Sequence, residues 1–129
     1  MKILIVDDNN RYAENLEKYF ALKNIETIRA YHAEEGYQIF RKESFDAVIS
    51  DITMETQVSG LLFVRRIYKE GYKGKIIIAT TGFDFPGVMT LSRYILPLYA
   101  GVGWMVPKVP LRKGEVIFVN TTAGKGQPF

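Results

Sequence analysis

Apolar residues recur in two alternating patterns over the first 80 positions of the chain. One pattern is a short apolar run, which is typical of a strand buried on both faces of a sheet. Strands are predicted in this way over residues 2–6, 45–51 and 75–80, and a further short strand is predicted over residues 26–30. The other pattern places apolar side chains at every third or fourth position, which predicts helices over residues 11–22, 33–41 and 61–70. This alternation predicts an α/β fold with a parallel sheet, helices on both faces and right-handed crossovers.

The alternating pattern weakens after Gly82. A fourth helix is predicted over residues 88–96, and Pro97 is expected to end or kink it because proline lacks the backbone N–H. A short strand over residues 104–106 follows. The alternation then calls for a final amphipathic helix, but residues 109–114 have the composition of a loop.

The C-terminal residues predict an extended tail in place of the fifth helix. Residues 115–119 are β-branched and aromatic, which favours a strand, and residues 120–129 are polar and glycine-rich. We therefore predict a domain over residues 1–108 and an atypical tail over residues 109–129. Without a fifth helix, one face of the sheet would expose a large apolar patch. The strand-like segment 115–119 is expected to pair with a sheet edge of its own chain or of a neighbouring copy, the second giving a homodimer.

Two of the predicted strands end abruptly in carboxylates. Asp7 and Asp8 follow the first strand, and Asp51 ends the third. The carboxyl ends of parallel strands meet at one edge of a sheet, where ligands bind. Three carboxylates at one edge repel each other unless a cation lies among them, and Mg²⁺ prefers oxygen ligands. The sequence therefore predicts a Mg²⁺ site at this edge.

Composition narrows the class of protein further. The 129 residues suffice for one domain with a full core, and the net charge of +3 comes from scattered basic residues that do not indicate nucleic-acid binding. Cysteine is absent, which excludes disulfides and thiolate metal sites. Neither a signal peptide nor a membrane-spanning stretch is predicted, so we expect a cytoplasmic protein without membrane contacts.

Four features stand at the ends of the predicted strands, in chain order. They are the acidic pair Asp7 and Asp8, the acid Asp51, the hydroxyl residue Thr80 and the basic residue Lys108. Together these features resemble the receiver domain of two-component response regulators, over about residues 1–108. The resemblance implies a flavodoxin-like, doubly wound sheet with strand order 2-1-3-4-5.

The resemblance also implies a role for each acid. Asp51 matches the residue that accepts a phosphoryl group. Mg²⁺ would be bound by Asp8, Asp51 and the backbone carbonyl of Thr53, with Asp7 acting through water. Such an ion would neutralise charge while a carboxylate oxygen attacks phosphorus, a reaction that depends on positioning and charge stabilisation.

Two further residues are implied to contact the phosphoryl group. Lys108 would contact one phosphoryl oxygen as a mobile point charge. Thr80 would donate its hydroxyl to another oxygen, and the resulting movement of the loop after the fourth strand would change a surface that partners bind. Thr81 replaces Thr80 as the candidate if the strand register shifts by one residue.

The chain departs from the family at several positions. Met105 occupies the position of an aromatic switch residue, and Trp104 beside it is expected to face the opposite side of the sheet. The usual Lys-Pro step is Lys-Val-Pro over residues 108–110, and Glu55 replaces a usual proline. The stretch between the fourth strand and Lys108 is also long.

These observations lead to one expected function and two alternatives. We expect a stand-alone receiver that accepts a phosphoryl group from a sensor histidine kinase or phosphotransfer protein and signals to a downstream protein partner. We do not expect an enzyme beyond its own autophosphorylation and autodephosphorylation chemistry. The departures support an alternative, a phosphorylation-independent interaction or oligomerisation module. A Mg²⁺-dependent phosphohydrolase is disfavoured because Thr53 stands where its second acid is required.

Overall fold

The structure of the protein is a computed structural model that describes residues 1–52, 54, 59–81 and 88–129, with the side chains of residues 88–91 left undescribed. A six-stranded sheet with the order β2-β1-β3-β4-β5-β6 forms its centre. The strands are β1 Lys2–Val6, β2 Glu26–Ala30, β3 Ala47–Asp51, β4 Lys75–Thr80, β5 Trp104–Pro107 and β6 Val119–Asn120. The first five strands are parallel and β6 is antiparallel to β5, so the predicted order 2-1-3-4-5 is confirmed.

In the described parts of the chain, five helices pack on the two faces of this sheet. They are α1 Asn10–Ala21, α2 Ala33–Lys42, α3 Ser59–Lys69, α4 Val88–Ala100 and α5 Lys108–Arg112. No helix within the described parts of the chain has both the length and the apolar character needed to cross a lipid bilayer.

Side chains alternate along each strand and form two separate cores. The first core lies between the sheet and helices α1 and α5, and it includes Ile5, Phe20 and Leu111. The second lies between the sheet and helices α2, α3 and α4. Trp104 belongs to the first core and Met105 to the second, so their predicted opposite orientation is confirmed.

Helix α3 begins earlier than its apolar pattern predicts. The apolar pattern over residues 61–70 predicts that Leu62 is buried. Helix α3 instead spans Ser59–Lys69, and the side chain of Leu62 faces solvent with 51% exposure. Phe63, which is 4% exposed, packs in the second core instead. The apolar run at Leu61, Leu62 and Phe63 allows more than one helical face to be buried, so spacing alone misassigns one position.

Helix α4 continues through Pro97 to Ala100, beyond the predicted end at residue 96. A proline in a helix deprives the carbonyl four residues earlier of its hydrogen-bond donor, and that carbonyl belongs to Arg93. Thr122, from the C-terminal tail, donates both its backbone N–H (2.9 Å) and its hydroxyl (3.0 Å) to the carbonyl oxygen of Arg93. A donor distant in sequence therefore replaces the missing helical bond.

The region after β5 combines a short helix with an extended tail. The predicted loop over residues 109–114 is wrong for its first part, because Lys108–Arg112 forms α5. The strand predicted over 115–119 is shorter and later, since only Val119 and Asn120 pair with β5. This pairing lies within the chain itself. Pairing with a neighbouring copy, as in a homodimer, stays a prediction.

The tail covers the sheet face that a longer fifth helix would occupy. Phe118 is 6% exposed, and the ring of Phe129 lies 5.0 Å from that of Phe20 in an edge contact. The hydroxyl of Thr121 donates to the carbonyl of Val102 (2.7 Å). These contacts join the tail to the first core and to the turn before β5.

Candidate functional site

Three predicted acids converge at the carboxyl ends of β1 and β3. The strands are neighbours in register, with Val6 opposite Ser50, so Asp7 and Asp8 emerge beside Asp51. One carboxylate oxygen from each of the three acids lies within 4.8 Å of the others. Asp7 and Asp51 are buried, with 1% and 3% exposure, whereas Asp8 is exposed. The cluster therefore combines two desolvated carboxylates with one that is open to solvent.

Asp7 is the least solvated of the three acids. Its Oδ1 accepts the backbone N–H of Asn9 (2.8 Å), but its Oδ2 is buried and has no hydrogen-bond partner among the described residues. Burial raises the pKa of Asp7 to about 7, with a further increase from the charge of Asp51 and an opposing effect of the Asn9 hydrogen bond. A buried oxygen without a donor, close to two other carboxylates, fits the ligand set of a hard divalent cation.

Lys108 joins the acid cluster from the opposite end of the chain. It is the first residue of α5, directly after β5, and only 8% of it is exposed. Its ammonium forms an ion pair with Oδ1 of Asp51. The ammonium also lies 5.4 Å from the ring centroid of Tyr12, within the range of a cation–π contact. The structure thus places Lys108 at the acid cluster, where the resemblance to receiver domains implies it to be.

Thr80 lies at the end of β4, next to β3, and Met105 lies within β5. Thr80 is the last residue of β4, opposite Pro107, and it is half-buried, whereas Thr81 is exposed just after the strand. Met105 is 1% exposed and lies between Ile78 of β4 and Val119 of β6. The residue at the aromatic switch position is therefore a buried part of the second core.

The connection after Asp51 is only partly described. Thr53, the predicted source of a metal-binding carbonyl, and Glu55 lie outside the described residues. At the end of this connection, the N–H of Gly60 donates to the carbonyl of Ile52 (2.9 Å). A Cβ atom on Gly60 would lie 1.5 Å from the carbonyl oxygen of Asp51, so only glycine allows α3 to begin this close to the acid.

Sequence reasoning missed three residues that hold the site together. Gly60 lies just before the helix predicted over residues 61–70, and its close contact with Asp51 is not indicated by the apolar pattern. Arg29 of β2 donates two hydrogen bonds, from Nε (3.2 Å) and Nη2 (3.0 Å), to the backbone carbonyl of Asp7. Asn15 of α1 donates to the carbonyl of Leu111 in α5 (2.7 Å). The last two contacts have no local signal in the sequence.

The chain matches the family profile of the response regulator receiver domain over residues 3–89. It belongs to this family of two-component signalling domains, which are generally not enzymes, typically bind Mg²⁺ and interact with histidine kinases or phosphotransfer proteins. The match includes Asp7, Asp8, Asp51 and Thr80 and ends before Lys108.

The chain is also similar in sequence to a bacterial regulatory protein. An uncharacterized transcriptional regulatory protein of Bacillus subtilis (strain 168), YclJ, is 33% identical over 67 residues, which are 52% of this chain and 29% of that protein. The chain thus spans less than a third of this relative.

Solved structures share the fold. A receiver domain protein from Clostridium thermocellum is 25% identical with a TM-score of 0.66, covering 88% of this chain and 92% of that one. The N-terminal domain of an uncharacterized protein from Wolinella succinogenes is 30% identical with a TM-score of 0.67, covering 84% and 82%.

Proposed function

We propose that the protein accepts a phosphoryl group on Asp51 and passes the signal to a protein partner. The observation that carries this proposal is the ion pair between Asp51 and Lys108 inside the acid cluster. A buried carboxylate with a cation on one oxygen is suited to accept a group that brings its own negative charge, provided that a second cation offsets the charge of the two neighbouring acids.

The proposed reaction transfers a phosphoryl group from a donor atom to a carboxylate oxygen of Asp51. One carboxylate oxygen of Asp51 forms a bond to phosphorus while the bond from phosphorus to the donor breaks. The donor atom, a histidine nitrogen of a kinase or phosphotransfer protein, leaves with the electron pair. No oxidation or reduction takes place. The chain therefore has to align Asp51 and offset negative charge, and it needs no further nucleophile.

The acid cluster fits the Mg²⁺ ion that this family typically binds. We propose Asp8, Asp51 and the backbone carbonyl of Thr53 as ligands, with Asp7 acting through water. The buried Oδ2 of Asp7, which has no hydrogen-bond partner among the described residues, supports this assignment. Bound there, the ion would neutralise charge on the acids and on the incoming phosphoryl oxygens.

Lys108 and Thr80 are proposed to contact the transferred group. The ammonium of Lys108 already lies on Asp51, so it can move to a phosphoryl oxygen on the same side chain without leaving the site. Thr80 ends the neighbouring strand β4 and would donate its hydroxyl to a second oxygen. A movement of Thr80 would alter the segment between β4 and α4 and so change the surface offered to a partner.

The second candidate function is a module that binds its partner without phosphorylation. Met105 favours it, because this buried residue is paired on both sides and offers no aromatic side chain that can move between the core and the surface. The two candidates predict different effects of phosphorylation. In the first, phosphorylation changes the affinity for the partner, and in the second it does not.

Incubation of the protein with Mg²⁺ and acetyl phosphate, followed by intact mass measurement, tests the proposal. Wild type is expected to gain one labile phosphoryl group, and Asp51→Asn none. Glu14→Gln, an exposed acid on α1, serves as a control that should behave as wild type. Absence of the adduct from wild type, or an equal adduct on Asp51→Asn, would contradict the proposed function.

A further inference from the structure

Helix α5 carries Lys108 but is too short to hold it alone. The helix has five residues, and helices shorter than about 12 residues are marginal without tertiary contacts. Pro107 precedes it and makes no side-chain cap bond. The position of the Lys108 ammonium beside Asp51 must therefore depend on what packs against this single turn.

Helix α1 supplies those contacts from one face. Asn15 donates from Nδ2 to the carbonyl of Leu111 (2.7 Å) and more weakly to that of Arg112 (3.4 Å), at the C-terminal end of α5. Leu111 itself is fully buried in the first core. Tyr12, three residues before Asn15 and so on the same side of α1, places its ring beside the Lys108 ammonium.

The same helix is also tied to the acids. The Asn9 side chain caps α1 by accepting the N–H of Tyr12 (3.1 Å), and the Asn9 N–H donates to Asp7 (2.8 Å). Helix α1 and its cap residue Asn9 thus connect the carboxylate of Asp7 with both ends of α5.

From these contacts we infer that Asn15 and Tyr12 are positioning residues that hold Lys108 at Asp51 for phosphoryl transfer. This inference rests on the proposed function of Asp51. Asn15 fixes the far end of α5 and Tyr12 fixes the direction of the Lys108 side chain. Neither touches the transferred group, so both act only through Lys108.

The test compares rates of modification by acetyl phosphate in excess Mg²⁺ for wild type, Asn15→Asp, Lys108→Met and the double variant. Asn15→Asp keeps the size of the side chain but replaces the donating amide with an oxygen that repels the Leu111 carbonyl. We expect Asn15→Asp to slow modification about tenfold, as for the loss of one hydrogen bond. In the Lys108→Met background, adding Asn15→Asp should slow modification by less than about twofold, because the two residues act as one unit.

Matched variants separate positioning from general damage to the fold. Lys18→Gln changes the charge of α1 by the same amount at an exposed site and should leave the rate unchanged. Tyr12→Leu should slow modification, whereas Tyr12→Phe, which keeps the ring, should be modified at the wild-type rate. If Asn15→Asp does not fold, as judged by circular dichroism, Asn15→Ala replaces it in the same cycle.

Each outcome is decisive. Equal slowing by the Asn15 variant with and without Lys108 would overturn the inference, since Asn15 would then act on the fold as a whole. An unchanged rate for Asn15 variants, with Lys108→Met slowed, would overturn it while leaving the proposed function intact. A wild type that takes no phosphoryl group would overturn both.

Discussion

Thr122 donates two hydrogen bonds to the carbonyl oxygen of Arg93, the acceptor that Pro97 leaves without its helical donor. The tail therefore completes α4 at a point where its own sequence cannot. This relationship explains why the helix runs on to Ala100, which is fully buried in the second core. It also joins the atypical C-terminal segment to the helix that follows the β4–α4 connection.

The contribution of Thr122 should depend on Pro97. Thr122→Val removes the hydroxyl donor and is expected to lower the free energy of unfolding by about 1 kcal/mol. In a Pro97→Ala background the alanine N–H can bond to Arg93, so Thr122→Val should cost clearly less. Urea unfolding of the four proteins measures this coupling, with Thr122→Ser as the variant that retains the donor. An equal cost in both backgrounds would argue against the replacement of the helical bond.

Gly60 should tolerate no side chain. An added Cβ would overlap the backbone carbonyl of Asp51, so Gly60→Ala must displace either α3 or the acid itself. We expect a loss of about 1–3 kcal/mol in the free energy of unfolding and slower acceptance of phosphate. Gly36→Ala in α2 is a graded control, because its Cβ would meet a side-chain methyl of Val6 at 2.8 Å rather than a backbone atom. A Gly60→Ala protein as stable as Gly36→Ala would refute this account of the close contact.

Asp7 should make the metal-free protein less stable as the pH rises. Its pKa is raised from 3.8 to about 7 in the folded protein, so between these values the folded state binds more protons than the unfolded state. The free energy of unfolding therefore falls as pH rises through this window and levels off above it. Asp7→Asn should remove this dependence and be more stable at pH 8 by about 1–4 kcal/mol, with little difference near pH 4. Urea titrations in chelator at several pH values would show this, and parallel profiles for the two proteins would contradict it.

Mg²⁺ should stabilise the wild type through the acid cluster. An ion that binds only the folded state raises the free energy of unfolding by about 1.4 kcal/mol at ten times its dissociation constant. Asp8→Asn should lose most of this gain, since Asp8 is the one exposed acid of the three. Thermal unfolding with and without Mg²⁺ measures the effect, and Glu14→Gln should respond as wild type does. A similar response from Asp8→Asn would place the ion elsewhere.

The elements that could be predicted from sequence are those with a local pattern. The strands β1, β3 and β4 follow from continuous apolar runs, which are typical of strands buried on both faces of a sheet, and acids stand directly at the ends of β1 and β3. The convergence of Asp7 and Asp51 then follows from parallel pairing alone. Lys108 was predicted as a site residue from the resemblance to receiver domains.

The features that escaped prediction depend on contacts between distant segments. At Pro97 of α4 the carbonyl of Arg93 is bonded by Thr122, 29 residues further on, and α5 is bonded by Asn15 from 96 residues away. The strand β6 begins at Val119 rather than at residue 115, and it is followed at once by Thr121, which is bonded to the turn before β5. Local propensity contains no information on these partners.

The most direct test of the central claim locates the phosphoryl group on the chain. The protein is modified with acetyl phosphate in Mg²⁺, reduced with borohydride, which converts an aspartyl phosphate to homoserine, and digested for peptide mass analysis. We expect the conversion at Asp51 alone, and its loss when Mg²⁺ is replaced by chelator. Conversion at Asp7 or Asp8, or an unmodified residue 51 in protein that carries the adduct, would contradict the account.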